Sequence, residues 1–223
     1  MASFTEENYL KAIFHLSAQN EGKAVSTNEL AEVTQTRAAS VTDMLKKLSE
    51  KEYIHYKKYQ GVTLTESGSQ IALKIIRKHR LWEVFLVEKL GFKWDEIHDL
   101  AEELEHIKSK ELTDKLDYFL GHPKFDPHGD PIPDAQGNMP SVGTTQLSKM
   151  EQGQKLTIMG VSEDSAPFLQ HFDRLGLKLG LEVSLTDISD FDHSLELQTE
   201  SGQNIRISSE VAQNIQVKAR KLS

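Results

Sequence analysis

The stretch STNELAEVTQTRAASVTDMLKKLSEKEYIHYKKYQGVTLT, Ser26–Thr65, decides the fold of the 223-residue chain. Its first half spaces apolar residues at helical intervals, Leu30 and Val33, then Val41, Met44, Leu45 and Leu48. Ser26 and Thr27 offer an N-cap to the first of these helices, and Thr34–Arg37 separates it from the second, the pattern of a helix-turn-helix. Tyr53–Thr65 follows as two β-rich runs around Gln60-Gly61, a small hairpin. A helix-turn-helix trailed by a charged hairpin is a winged helix. Outward from it, Tyr9, Leu10, Ile13, Phe14 and Leu16 form the face of a preceding helix, and Ser67-Gly68 leads into a long helical pattern, Ile71–Leu90.

Gly91 ends that pattern, and helical spacing resumes over Trp94–His106 and Lys110–Leu120. Five of the six prolines then fall between Gly121 and Gly143, which marks a boundary. Beyond it the period changes to strands at Leu156–Val161, Glu182–Ile188, Leu195–Thr199 and Ile205–Ser208, interrupted by one helix near Ser165–Leu175. The expected fold class is α+β: a winged-helix domain (1–75), an all-α domain (76–122), a Pro-rich linker (123–148) and a small β-barrel (149–223).

The net charge of -8 disfavours a nucleic-acid partner on its face, since phosphate neutralisation dominates that affinity. The average misleads, because residues 1–75 carry nine cations and nine acids, and all the excess acid comes later. Within Arg37–Lys58 six cations stand against three acids, a stretch that suits either phosphate or plain solvent. The absence of cysteine excludes disulfide scaffolds, zinc-thiolate sites, iron-sulfur clusters and cysteine nucleophiles. No apolar run reaches the roughly 18 residues of a membrane span, and the amphipathic, charged Met1–Gln19 is unlike a signal peptide, so a cytoplasmic location is expected. Nucleotide-binding glycine motifs, His-Glu-x-x-His and Gly-x-Ser-x-Gly are all missing.

Two helices carry clusters of metal-ligating side chains. At about 100° per residue, His79 and Glu83 lie one turn apart on one face. On the Trp94–His106 helix, His98, Glu102, Glu105 and His106 share a narrow arc, where carboxylates and imidazoles repel unless a cation sits among them. Any single His-Glu pair reads first as a solvated ion pair; two clusters on neighbouring helices bring a divalent ion level with that reading. Asp126 and His128 stand two apart on a rigid Pro-Gly turn, and Glu163 and Asp164 precede the late helix, where N-capping is the competing explanation.

With the winged helix, Arg77-Lys78-His79-Arg80-Leu81 with Glu83, His98-Asp99 with Glu102-Glu103-Leu104-Glu105-His106, and His128-Gly129-Asp130-Pro131-Ile132-Pro133, the chain over about Phe4–Pro140 closely resembles the diphtheria-toxin-repressor family of metal-dependent transcriptional regulators, including its manganese-sensing branch. The tail resembles the small barrel of ferrous-iron-transport A domains that longer members append. The resemblance implies a primary metal site at Glu102, Glu105 and His106 with Asn8 from the first helix. An ancillary site is implied at His79, Glu83 and His98 with Asp126, His128 and one of Glu163 or Asp164. The chain departs from the family at Asn8, where members carry Met or Asp, and at Lys11, where a second carboxylate of a two-metal site would fall. Glu102, in place of the Cys of iron-sensing relatives, makes the donor set hard; that favours Mn²⁺, then Fe²⁺, with Co²⁺ and Zn²⁺ able to bind in vitro.

The implied function is a non-enzymatic repressor of metal-homeostasis genes. It would act as a homodimer on double-stranded operator DNA of palindromic sequence, with Trp94–Leu120 supplying much of the dimer interface. Arg37, Ser40, Thr42 and Asp43 are the expected base or phosphate contacts, Lys46 and Lys47 backbone contacts, and Lys57 and Lys58 wing contacts. A winged-helix regulator answering to an organic ligand would instead show an apolar pocket, and a metal-dependent hydrolase a substrate cleft.

Overall fold

The computed structural model describes residues 2–20, 22–57 and 60–220. Its helices are α1 (Phe4–Gln19), α2 (Thr27–Val33), α3 (Ala38–Glu50), α4 (Glu66–Glu88), α5 (His98–Leu104), α6 (Lys110–Phe119), α7 (Ala166–Arg174) and α8 (Ser209–Gln213). The strands are β1 (Ile54–Lys57), β2 (Gly61–Leu64), β3 (Thr145–Gln146), β4 (Lys155–Val161), β5 (Glu182–Ile188), β6 (Leu195–Thr199), β7 (Asn204–Ile207) and β8 (Ile215–Ala219). The chain packs as two units: the part up to His79 with Glu103–Asp114 and Pro133–Asn138, and Arg80–Glu102 with Lys115–Ile132 and the chain from Met139 onward.

In the first unit, capping boxes start two helices. Ser3 and Glu6 exchange hydrogen bonds across the start of α1, as do Ser26 and Glu29 at α2, which satisfies backbone N–H groups that a helix start otherwise leaves orphaned. The turn between α2 and α3 runs through Gln35 at φ 49°, and the Tyr9 hydroxyl of α1 lies 3.1 Å from the Thr36 hydroxyl in that turn. Leu10, Ile13, Leu30, Val41, Leu45, Leu48, Ile54 and Val62 close one core beneath the helix-turn-helix. β1 and β2 pair antiparallel with Ile54 opposite Leu64, and Val25 bridges to Val62 on the far side, so the hairpin is stitched to the helical body. The winged helix read from Ser26–Thr65 is therefore present.

The long helix begins at Glu66, so Ser67 and Gly68 lie inside it rather than before it. A side chain at Gly68 would bring its Cβ within 1.9 Å of the Tyr53 carbonyl oxygen, so only glycine lets the first turn of α4 approach the strand this closely. The helix expected over Trp94–His106 is shorter, α5 ending at Leu104, which leaves Glu105 and His106 in the following turn. The Pro-rich segment is strapped down: Arg77 donates to the Pro133 carbonyl at 2.8 Å in the first unit, and Arg80 donates to the Pro131 carbonyl at 2.5 Å in the second.

The second unit holds a six-stranded antiparallel sheet of order β3-β8-β4-β5-β6-β7. Register shifts in β4 near Gly160 and in β5 after Leu185 mark bulges, which raise the local twist of the small barrel-like domain. Leu147, Leu156, Ile158, Leu169, Phe172, Leu185, Leu197 and Ile215 fill its core, with Trp94 packed against it. Among the described residues, no helix is long and apolar enough to cross a membrane.

Candidate metal centres and DNA-reading face

In the first unit, α1 presents Glu7, Asn8 and Lys11 toward the turn that follows α5. The His106 Nδ1 lies 2.8 Å from a Glu7 carboxylate oxygen. An ionised carboxylate only accepts, so Nδ1 carries the proton and the lone pair falls on Nε2. That Nε2 is buried without a hydrogen-bond partner, and so is the Asn8 Oδ1. The Phe4 ring lies over the imidazole with centroids 3.7 Å apart, which fixes the plane in which the lone pair points. Two buried acceptors without donors are costly in a protein interior, and a cation is what both would accept.

Glu105 is fully buried and its carboxylate is the hub of this cluster. Lys11 Nζ lies 2.8 Å from each of its oxygens, His79 Nδ1 lies 2.6 Å from Oε2, and His106 Nε2 stands 3.5 Å from Oε1. Burial raises its pKa, but the His79 hydrogen bond and the Lys11 charge outweigh that, so Glu105 stays below the usual carboxylate range. His79 thus spends Nδ1 on Glu105, a partnership that its helical spacing with Glu83 does not reveal. The arc expected of four side chains on one helix is corrected here: α5 stops at Leu104, and Glu105 and His106 reach the α1 residues from a turn.

In the second unit, Glu83, Asp126 and His128 are all buried and each offers a ligand atom within 4.8 Å of the others. His128 Nε2 lies 3.0 Å from the Trp94 carbonyl oxygen, so Nε2–H donates and the Nδ1 lone pair is left, 3.7 Å from Glu83 Oε1. Asp126 Oδ1 accepts from the His128 and Asp130 amides, as turn chemistry expects, while Oδ2 faces Arg80 Nε at 3.5 Å. Trp94 stacks on the His128 ring at 5.7 Å and donates from its indole to Asp173 on α7. Half-buried His98 lies 3.2 Å from Asp164 through Nδ1 and 3.7 Å from Glu102 through Nε2. The pairing with His98 holds the Asp164 carboxyl at about 2. Glu163 accepts from the amide of Ser165, the residue before α7, and α7 has no side-chain cap, so the capping its position suggested is not made; the geometry favours Asp164 as the partner of His98.

Gly129 makes this centre possible. At φ +90°, a Cβ there would lie 2.2 Å from the Met159 carbonyl oxygen and 2.5 Å from the Gly160 Cα of β4, while the His128 carbonyl accepts from the Val161 amide at 2.9 Å. Gly129→Ala should cost about 3 kcal/mol, from the left-handed conformation and the backbone clash together. Urea unfolding would register it, and an unchanged midpoint would show that the turn sits less tightly on β4.

Burial, then the charges of Glu83 and Asp130, push the Asp126 pKa well above the ordinary value, with Arg80 only partly opposing. Were Asp126 to hold a divalent ion it would have to be ionised, so protons would compete below the raised pKa and be released on binding. Mn²⁺ affinity at the centre should therefore rise about tenfold per pH unit for each proton released, and level off above that pKa. Calorimetry in buffers of differing ionisation enthalpy measures the release; none at acidic pH would mean Asp126 is already ionised.

On the DNA-reading side, α3 buries Val41, Leu45 and Leu48 and exposes Ser40, Asp43, Lys46 and Lys47, with Arg37 exposed at its N-cap. Thr42 is half-buried and donates to the Ala38 carbonyl, and Lys46 pairs with Asp43 at 3.2 Å on the surface. Lys57 is exposed at the end of β1, and Lys58 lies outside the described residues.

A winged helix whose second helix-turn-helix helix exposes Lys46 and Lys47, with Arg37 at its start, carried with buried carboxylate-imidazole clusters, defines a metal-linked DNA-binding regulator. Three family models match: iron dependent repressor, N-terminal DNA binding domain, over residues 1–62; iron dependent repressor, metal binding and dimerisation domain, over 65–134; and the FeoA domain, over 145–219. An uncharacterised HTH-type transcriptional regulator of Methanocaldococcus jannaschii is 38% identical over 114 residues, 51% of this chain and 90% of its own length. The iron-dependent repressor IdeR of Mycobacterium bovis is 31% identical over 129 residues, 58% of this chain and 55% of its own. A solved manganese-dependent transcriptional repressor in complex with manganese superposes with a TM-score of 0.89 at 35% identity, covering 96% of this chain and all of its own. The chain belongs to the iron-dependent, or diphtheria-toxin, repressor family of metal-dependent transcriptional regulators. IdeR and the solved manganese-dependent protein are repressors, not enzymes.

Proposed function

We propose that the chain is a manganese-responsive repressor that binds a palindromic operator as a homodimer, with Fe²⁺ as the alternative effector. It would act in the cytoplasm on metal-homeostasis genes, through a winged-helix domain (1–75), a metal-binding and dimerisation domain (76–122), a linker (123–148) and a barrel (149–223). The observation that carries the reading is the pair of buried, unpartnered acceptors, Asn8 Oδ1 and His106 Nε2, beside the buried Glu105 carboxylate. All are hard oxygen or imidazole donors, which suits Mn²⁺.

Asn8, Glu105 and His106 would hold the primary ion, and Glu83, His98, Asp126, His128 and Asp164 the ancillary one, while Glu102 lies with His98 and His79 with Glu105. A divalent cation held there supplies charge that ties α1 to the turn after α5. Glu7 keeps His106 in the ligating tautomer, and Asn8 brings the DNA-binding unit to the site. Exposed Tyr118 and Phe119 on α6 give the dimer contact its apolar surface.

The test is operator binding by anisotropy with Mn²⁺ or with chelator, across a salt series. Affinity should rise with Mn²⁺, and Lys46→Ala should reduce the slope of log affinity against log salt by about one per protomer. Binding indifferent to chelator would favour an organic effector.

A further inference from the structure

We infer that the Lys11 ammonium is a built-in competitor of the metal ion for Glu105, holding that carboxylate in the metal-free chain and having to yield before Glu105 can ligate. The inference rests on the reading of Asn8, Glu105 and His106 as metal ligands, and adds to it a residue that opposes binding.

Lys11 Nζ lies 2.8 Å from both Glu105 oxygens, and the pair is nearly shut from water, the two side chains being 13% and 0% exposed. A carboxylate offers about four lone-pair sites. Lys11 uses one on each oxygen and His79 takes another on Oε2. Oε1, the oxygen 3.5 Å from the unpartnered His106 Nε2, is therefore one that the ammonium already covers. The one lone pair left on Oε1 lies beside the ammonium, so an ion gathering His106 and Glu105 together meets a like charge there until Lys11 moves away. Lysine suits the task because its charge is a compact point on a flexible four-carbon stem, able to swing aside without unpacking α1.

Two consequences follow. The buried Glu105 needs neither proton nor metal to persist in the metal-free chain, because a tethered cation already neutralises it. Metal loading then exchanges one link between α1 and the post-α5 turn for another, and the free-metal concentration at which it happens is set higher than the bare donor set would give.

The full-length chain and its variants Lys11→Gln, Lys11→Met, Lys11→Arg and Glu105→Gln should be titrated with Mn²⁺ against a competing chelator, reading free Mn²⁺ by electron paramagnetic resonance. The class of site that Glu105→Gln removes should bind at least tenfold tighter in Lys11→Gln and Lys11→Met. Lys11→Arg, which keeps the charge, should bind no tighter than the parent. Unchanged or weaker binding in both neutral variants, with Glu105→Gln still removing the site, overturns the competitor role and makes Lys11 a support of the site. If Glu105→Gln removes no class of site, the ligand reading falls first and the inference with it.

Discussion

Glu105→Gln should abolish the metal dependence of operator binding while leaving the fold in place. Couplings of this kind are commonly about 1 to 3 kcal/mol, a 5- to 150-fold difference in operator affinity between metal-loaded and metal-free protein. In the variant that ratio should fall to near one. Gln keeps the shape and one acceptor oxygen for Lys11 and His79 to share, so the buried hub loses its charge without leaving a cavity, and an unfolding curve reads what the unpaired ammonium costs. Linkage requires the converse in the parent chain: operator DNA must tighten metal binding by the same factor. A variant that still answers to Mn²⁺ as the parent does would place the switch elsewhere.

Glu7→Ala should weaken Mn²⁺ binding at the primary centre by about 10- to 100-fold, the usual consequence of removing the carboxylate behind a ligating imidazole. Glu7 accepts from His106 Nδ1 and thereby leaves the Nε2 lone pair for a ligand. Without it the ring can turn or take the other tautomer, and its basicity drops. On the proposed reading Glu7 orients a ligand without being one, so saturating Mn²⁺ should restore operator affinity; chelator competition separates the two effects. Equal loss at low and saturating metal would point instead to damage in α1.

The architecture was largely legible in local patterns. Leu30, Val41, Leu45 and Leu48 sit at helical spacing and the strands alternate, and these are where the periodicities put them. β3, α8 and β8 escaped notice because two to five residues carry too little period to be recognised, and β8 is a strand chiefly through its pairing with β4. The end of α5 at Leu104 also escaped, since the spacing of His98, Glu102, Glu105 and His106 looks helical throughout.

The candidate ligands were visible as clusters, but their partners were not. Glu7 with His106 and Lys11 with Glu105 are joined across some 94 to 99 residues of chain, and nothing local in either segment announces the other. Lys11 drew attention only as a departure from the family's pattern; its pairing with Glu105 turns that departure into a chemical role. Arg80 and Trp94 were likewise missed as neighbours of Asp126 and His128, because a buried arginine or tryptophan beside an imidazole leaves no mark in periodicity.

The central claim is that an ion joins Asn8 of α1 to Glu105 and His106. Crystals grown with Mn²⁺ and measured on both sides of the manganese absorption edge should show an anomalous peak in contact with Asn8 Oδ1 and His106 Nε2. Peaks confined to the Glu83, Asp126 and His128 centre, with those two atoms still without a partner, would contradict it.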